Sequence, residues 1–444
     1  MKVVIVGAGF GGLKLARKLN NKAGFEVVLV DRFNHHQFQP LFYQVATAAL
    51  DPSNISFPLR KVFQKSNNVK IRLTALKEVK PAENKIITDI GDISYDALVL
   101  AMGADTNYFN NTQLATHAFP MKSTAEALQL KYRLLHNFEN SLIMNDPAEL
   151  KRRMNLVIVG GGPTGVELAG ALAEMKKYIL PKDYPEIDFN QMNIYLLEGM
   201  DRTLAAMSEK SSKESCEYLE KMGVKVMTKS MVKDYDGKQV VLTDGRVIES
   251  SFVIWAAGIK GNVPKGVDKA IIAKGNRIKV DRHCLVEGSD NIYAIGDLAF
   301  MEEPDYPNGH PQLAAVAIQQ GELVAQNLIT IERKSNPERL LEFVYNNKGS
   351  MATIGRNKAV VDVPKPKLHF KGFFAWMIWM GLHLFLLLGV KNRISVFFNW
   401  IYNYFTHDQN LRLIFREFYR KSPEGPVKEK PQKIEATEAV NEHA

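Results

Sequence analysis

The chain lays down one plan twice, and this repetition constrains its fold more than any other feature. Each copy opens with a short apolar strand, a glycine-rich turn and a helix, then a second strand ending in an acid. The first copy is Val3 to Val6, the turn Gly7-Ala8-Gly9-Phe10-Gly11-Gly12, and Glu26 to Val30 ending at Asp31. The second is Leu156 to Val159, the turn Gly160-Gly161-Gly162-Pro163-Thr164-Gly165, and Asn193 to Leu197 ending at Glu198. Short strands follow in both (Val69 to Leu73, Val224 to Met227), with polar turns at Glu83-Asn84 and Asp236-Gly237. Both close on an apolar strand ending in glycine, Ala97 to Gly103 and Phe252 to Gly258. The span from first turn to closing glycine differs by about two residues between the copies, and a fixed period is the mark of a true repeat.

The glycine spacing has a chemical reason. The first glycine permits a tight turn from strand to helix, the second lets backbone approach a pyrophosphate, and the third lets helix pack on strand. The helix N-terminus then turns free N–H groups and a partial positive charge toward that pyrophosphate. An acid ending the second strand can accept from ribose hydroxyls; Asp31 follows Gly7 by about 24 residues, near the usual ~20. Glu198 follows Gly160 by about 38, so an insertion over Lys176 to Phe189, with Pro181 and Pro185, must separate helix from strand. Glu198 would repel a 2′-phosphate, which favours NADH over NADPH, although Arg202 nearby weakens that preference.

A third segment, Asp290-Asn291-Ile292-Tyr293-Ala294-Ile295-Gly296-Asp297, is a strand running into Gly-Asp after the second copy closes. It reads as the chain returning to the first domain, with Asp297 able to bond a ribityl hydroxyl. The expected fold is α/β: two Rossmann-like dinucleotide-binding domains, the second inserted in the first. The boundaries fall at 1–118 and 259–335 for the flavin domain and 119–258 for the nicotinamide domain. A C-terminal membrane-association region over 336–421 and a charged, disordered tail over 422–444 complete the chain.

With 444 residues, two or more domains are expected. Cys216 and Cys284 are far apart, no CxxC or zinc spacing exists, and no metal site is predicted. The N-terminus runs directly into a buried-strand pattern with no signal-peptide features, so the nucleotide sites are expected to face the cytoplasm. The net charge of +9 carries no zinc-finger or RNA-binding signature, and nucleic acid is not an expected partner. Many excess basic residues lie near the C-terminus beside large apolar side chains, which suits an anionic membrane surface.

With both glycine turns and Ile295-Gly296-Asp297 in place, residues 1 to 421 resemble the two-dinucleotide-binding-domain flavoproteins, and more narrowly the type II NADH:quinone oxidoreductases. The narrowing motifs are Pro40-Leu41-Phe42-Tyr43-Gln44-Val45-Ala46, Gly162-Pro163-Thr164-Gly165-Val166-Glu167-Leu168-Ala169, Ala317-Ile318-Gln319-Gln320-Gly321 and Lys371-Gly372. The resemblance implies a non-pumping, membrane-attached homodimer that oxidises NADH and reduces a membrane quinone through tightly held, non-covalent FAD. By position, Gly7, Gly9, Gly12, Asp31, Val79 (backbone to adenine), Gly103 and Asp297 would hold FAD. Gly160, Gly162, Gly165, Glu198 and Gly258 would hold NADH. Glu167 matches a carboxylate near the nicotinamide and the quinone route, and Gln319 and Lys371 match residues lining the quinone pocket. One departure stands out: Ala315 occupies the place of a family glutamine, which leaves more of the quinone recognition to Gln319.

Two other readings remain open, a ferredoxin-type reductase and a flavin-bound redox sensor of the apoptosis-inducing-factor kind. The absence of a cysteine pair beside the first helix separates the chain from disulfide reductases, and both cysteines are expected to be inert. The C-terminal region argues for a membrane. Phe373 to Val390 is about 18 mostly apolar residues, marginal for a spanning helix. Ile394 to Phe405 is apolar except for a stripe of Ser395, Asn399 and Asn403, and Leu411 to Lys421 alternates apolar residues with Arg412, Arg416 and Arg420. A monotopic protein on the cytoplasmic face is the expectation, with a single spanning helix near 373–390 as the alternative.

Overall fold

Strands that are apolar at every position have no face for water, so they belong in parallel sheets covered on both sides. The computed structural model, which describes residues 1–334, 339–408 and 410–415, has two such sheets. In the first the order is Ile292–Ala294, Ala97–Leu100, Lys2–Val6, Glu26–Asp31, Val69–Leu73, all parallel. In the second it is Phe119–Pro120, Phe252–Trp255, Asn155–Val159, Asn193–Leu197, Val224–Met227, again all parallel. The strand from the segment before Asp297 sits at the edge of the first sheet, so the chain does return to it after completing the second. Each copy also carries a three-stranded antiparallel meander, and each meander has a register shift in its first strand pair.

The passage between the copies is a two-stranded ribbon. Ala104–Thr106 leaves the closing glycine of the first copy and pairs antiparallel with Ile259–Gly261, which leaves that of the second. The insertion expected before Glu198 is real and holds a short helix, Leu180–Asp183, and a single 3-10 turn, Phe189–Gln191.

Beyond helix Ala314–Glu332, an antiparallel sheet of Ser350–Gly355, Lys358–Val363 and Leu368–Lys371 lies against the second glycine-rich helix, Pro163–Tyr178. Two apolar helices follow, Gly372–Leu386 and Val390–Thr406. The 18-residue apolar stretch therefore breaks at its C-terminal end, and no helix among the described residues is long and apolar enough to cross a membrane. The polar stripe of the second helix faces the protein. Ser395 bonds Asn54, Asn403 bonds Asn399 and the Ala49 carbonyl, and Asn392 bonds the Ser53 and Ser56 carbonyls. Val396 and Trp400 share that buried side with Trp379 of the first helix. Residues Met1–Arg412 form one compact unit; the basic helix expected at Leu411 to Lys421 shows no helix at 411–415, and the rest of it and the tail lie outside the described residues.

The second glycine-rich helix meets the C-terminal sheet backbone to backbone. A Cβ on Gly170 would stand 1.7 Å from the Ile354 carbonyl oxygen. Alanine adds about 1 kcal/mol of helix propensity over glycine, but here the strand must move to admit it. We expect Gly170→Ala to destabilise by about 1–3 kcal/mol net, the usual cost of overpacking, measured as a lowered thermal midpoint.

Candidate functional site

The two glycine turns match in their steric detail. Gly7 and Gly160 take φ of +104° and +111°, which side chains avoid, and a Cβ on either would strike the Ala101 or Ala256 carbonyl. A Cβ on Gly12 or Gly165 would lie 1.9 Å from the Gly7 or Gly160 oxygen, so each helix rests directly on its own turn. Gly9 and Gly162 differ in kind. They are the N-caps of helices Phe10–Leu19 and Pro163–Tyr178, with extended backbone and nothing within 4 Å of where a Cβ would stand. The open space thus lies in front of each helix N-terminus, where free N–H groups favour an anion.

Both acids hold their turn from below. Asp31 accepts from the Ala8 amide at 2.6 Å and the Phe33 amide at 2.7 Å. Glu198 accepts from the Gly161 amide at 2.6 Å and the Met200 amide at 2.8 Å. Burial pushes the Asp31 carboxyl up, and the two amides oppose it. Arg202, which had clouded the choice of nucleotide, turns to the Ala205 carbonyl and to Glu209.

Gly103 and Gly258 both have positive φ at the starts of the ribbon strands, their carbonyls accepting from Asn262 and Asn107. Asp297 follows the returning strand in the turn Gly296–Leu298. Burial raises its carboxyl against the charges of Lys122 and Arg277, and no described residue hydrogen-bonds it. A desolvated carboxylate without a protein donor fits a site that takes a ligand hydroxyl. Val79, expected to meet adenine through its backbone, has its N–H engaged elsewhere. It lies in the core at 1% exposure, and its amide donates to the Lys265 carbonyl at 2.8 Å, which leaves no N–H for an adenine.

Glu167 opens the face of the second glycine-rich helix that looks toward the C-terminal helices. It is buried in the wall of a cavity shared with Tyr43, Gln44, Thr353, Trp379 and Trp400. The Thr353 amide reaches it at 3.5 Å, a weak bond. The Trp379 indole N–H finds no protein partner in hydrogen-bonding geometry, yet it too favours the anion. Removal from water outweighs both and pushes the carboxyl up to about 8. The Tyr43 hydroxyl accepts from Gln44, whose carbonyl accepts from the Trp400 indole, each at 2.8 Å. Burial, then the Glu167 charge, hold Tyr43 well above the ordinary phenol range. His383, which interrupts the apolar helix in sequence, stacks on Trp379 and is pushed down to about 4 by burial, so it is neutral.

Gln319 and Lys371 do not line this cavity. The Gln319 amide clasps the Asn346 backbone in both directions, at 2.9 and 3.1 Å, leaving one amide hydrogen for a ligand. Lys371 is 58% exposed and paired with Glu214, which also binds His369; it is a surface ion pair. Sequence reasoning missed Glu174, seven residues along the same helix face from Glu167, and missed Trp379 and Trp400 as cavity walls. The spacing of the two acids on an otherwise apolar helix was the available signal. Both cysteines are poor nucleophiles: burial raises each thiol, Cys216 to about 11 and Cys284 further still.

The buried carboxyl makes stability depend on pH. The folded chain holds the Glu167 proton more tightly than an unfolded chain with its ordinary value of 4.5. Between about pH 5 and 8 the native state therefore binds more protons than the unfolded one, and its stability falls as pH rises. Glu167→Gln cannot ionise. We expect it to match the parent protein near pH 5 and to exceed it by a few kcal/mol near pH 8.5, each pKa unit being worth about 1.4 kcal/mol; thermal unfolding across that range measures it.

Comparison with known proteins places these features in a family. The pattern described as "Pyridine nucleotide-disulphide oxidoreductase" matches residues 1–321, and that of the "NDH2 C-terminal domain" matches residues 347–407. Two type II NADH:quinone oxidoreductases of Mycobacterium tuberculosis, NdhA and Ndh, are 36% and 34% identical; each alignment covers 90% of this chain and 86% or 87% of theirs. The solved structure of NDH2 from Plasmodium falciparum in complex with RYL-552 superposes with a TM-score of 0.83 at 22% identity, over 92% of this chain and 99% of that one. The chain belongs to the type II NADH:quinone oxidoreductases.

Proposed function

We propose that this chain oxidises NADH and passes two electrons to a membrane quinone by way of FAD, without pumping protons. The observation that carries the reading is the paired glycine cradle, in which both helix N-termini face open space and both strand-end acids brace the turn. Gly7, Gly9, Gly12, Asp31, Gly103 and Asp297 would hold the flavin, and Gly160, Gly162, Gly165, Glu198 and Gly258 the NADH. Val79, its N–H engaged with Lys265, would meet adenine through its carbonyl. When bound, FAD supplies the two-electron chemistry that links hydride donor to quinone.

The chain's own residues position and protonate. Glu167, kept protonated near neutral pH by burial, can donate to a quinone oxygen, and the remaining amide hydrogen of Gln319 can donate to a quinone carbonyl. Lys371, held by Glu214, is left outside this set. The division at 119–258 and 259–335 gives each nucleotide its own domain, and the region after 336 docks to lipid on the cytoplasmic face, where NADH is found.

Support for the lipid surface comes from the two apolar helices, whose polarity is inside out. The hydrogen-bonding stripe of the second faces the protein, while Phe374, Phe385 and Phe405 are each more than 70% exposed and Phe398 is 63% exposed. Large apolar side chains exposed in this number call for a non-aqueous partner. This exposure is also the observation that weighs against a ferredoxin-type reductase or a soluble redox sensor, neither of which needs it.

Two experiments test the reading. Gly9→Ala and Gly162→Ala add a methyl to open space on unstrained backbone, so stability should change by less than about 0.5 kcal/mol. Gly9→Ala should lose bound flavin, while Gly162→Ala should keep the yellow flavin and raise the Kd for NADH at least about tenfold, roughly one lost backbone–phosphate hydrogen bond. A colourless preparation of the unaltered chain after reconstitution with FAD refutes the proposal. Replacing Phe374, Phe385, Phe398 and Phe405 with serine should abolish sedimentation with anionic vesicles yet spare oxidation of NADH by a water-soluble quinone.

A further inference from the structure

Oxidation of one NADH with reduction of one quinone to quinol consumes one proton from solvent. The hydride brings two electrons and one hydrogen, whereas the quinol carries two. Glu167 can give the missing proton only if something restores it, and it is enclosed by Trp379, Tyr43 and the C-terminal sheet. The cavity suggests how. Glu167, Ala171, Glu174 and Tyr178 line it from one helix, at spacings that put all four on one face. At 1.5 Å per residue, Glu167 and Glu174 are separated by about 10 Å along the axis, too far for direct transfer but not for transfer through water and one hydroxyl.

Tyr43 lines the same cavity as both. Both carboxylates act on its hydroxyl, Glu167 more strongly and Glu174 after it. Because that oxygen accepts from Gln44, its own hydrogen is left to donate to another acceptor, such as water in the cavity. Arg356, His407 and Asp408, each half-buried, also line the cavity and give it a polar side nearer solvent, with the Tyr178 ring against His407. None of the exposed large apolar side chains of the helix pair lines it.

We propose that Glu174 is the outer station of a proton relay that carries one solvent proton per turnover along this cavity, through water and the Tyr43 hydroxyl, to Glu167. Each transfer is a simple exchange: Glu174 releases a proton inward and takes one from solvent at the His407 end, with no electrons moved. Its surroundings suit a group that must pass between states. Burial favours the neutral acid, while the Arg356 amide at 2.6 Å and the charges of Arg356 and Lys358 favour the anion. Thr353 and Trp379 face Glu167, and burial first, then the charges of Arg356, Lys182 and Lys177, push the His407 imidazole down. The relay rests on the reading that Glu167 serves quinone reduction.

The test is Glu174→Gln in the full-length flavin-loaded enzyme, since glutamine keeps an oxygen for the Arg356 amide. We expect kcat for NADH–quinone turnover to fall roughly tenfold or more, within the range of lost acid–base catalysis. The rise of kcat toward low pH should steepen, and a solvent deuterium isotope effect should grow. The KM for quinone and the anaerobic bleaching of flavin by NADH should stay as they were, and Glu174→Asp should recover part of the loss. Independently of turnover, a protonated-carboxyl infrared band should be lost in Glu174→Gln. Unchanged kcat and pH profile overturn the relay. A raised quinone KM with an unaltered isotope effect also overturns it, and makes the cavity the passage for a quinone tail. If NADH fails to bleach the flavin of the unaltered chain, the parent reading falls and the relay with it.

Discussion

A helix lying directly on the carbonyl of the turn that precedes it is the constraint from which the rest of this structure follows. At Gly12 on Gly7, and again at Gly165 on Gly160, there is no room for a methyl group. The contact pulls the helix axis close to the strand and aims its N-terminus at open space. The strand-end acid can then reach a turn amide, which fixes the loop before any ligand arrives. Preorganisation of this kind removes an ordering cost from binding. In the second copy the same contact also sets the helix's rotation, and that rotation turns Glu167 and Glu174 toward the C-terminal helices.

The cradles were legible because their determinants are local. Turn, helix start and strand-end acid lie within one strand–helix–strand unit, and even the insertion before Glu198 did not hide its strand, Asn193–Leu197. The ribbon joining the copies could not be read from spacing, though the glycines that begin it could. Val79 shows what position alone does not tell. Its strand carries a register shift between Leu76 and Glu78, and one such irregularity changes which backbone groups are spoken for. Lys371 shows another limit: a lysine beside an apolar helix looks the same in sequence whatever it pairs with, and here it pairs with Glu214.

The cavity was illegible as a unit, since its walls come from five separate stretches of chain, around Tyr43, Glu167, Thr353, Trp379 and Trp400. Some of these had been noticed for other reasons. Tyr43 and Gln44 stood in a family motif, Glu167 stood at a helix start, and Trp400 stood in an apolar segment. Only the folded chain shows a tryptophan of the second apolar helix bonding a glutamine that in turn orients a tyrosine beside the buried carboxyl.

That chain of contacts gives the apolar helices a second duty. A helix pair that served only to hold lipid would need one outward apolar face, and its inner face could be any packing surface. Here the inner face carries Trp379 and Trp400, which displace water from Glu167 and hold the Tyr43–Gln44 pair in place. The displacement of water, with no cation put in its stead, is what keeps the carboxyl protonated near neutral pH. Unseating the helices would readmit water, lower that pKa and take the proton from Glu167. The same two helices therefore tie the acidity of Glu167 to their seating on the protein.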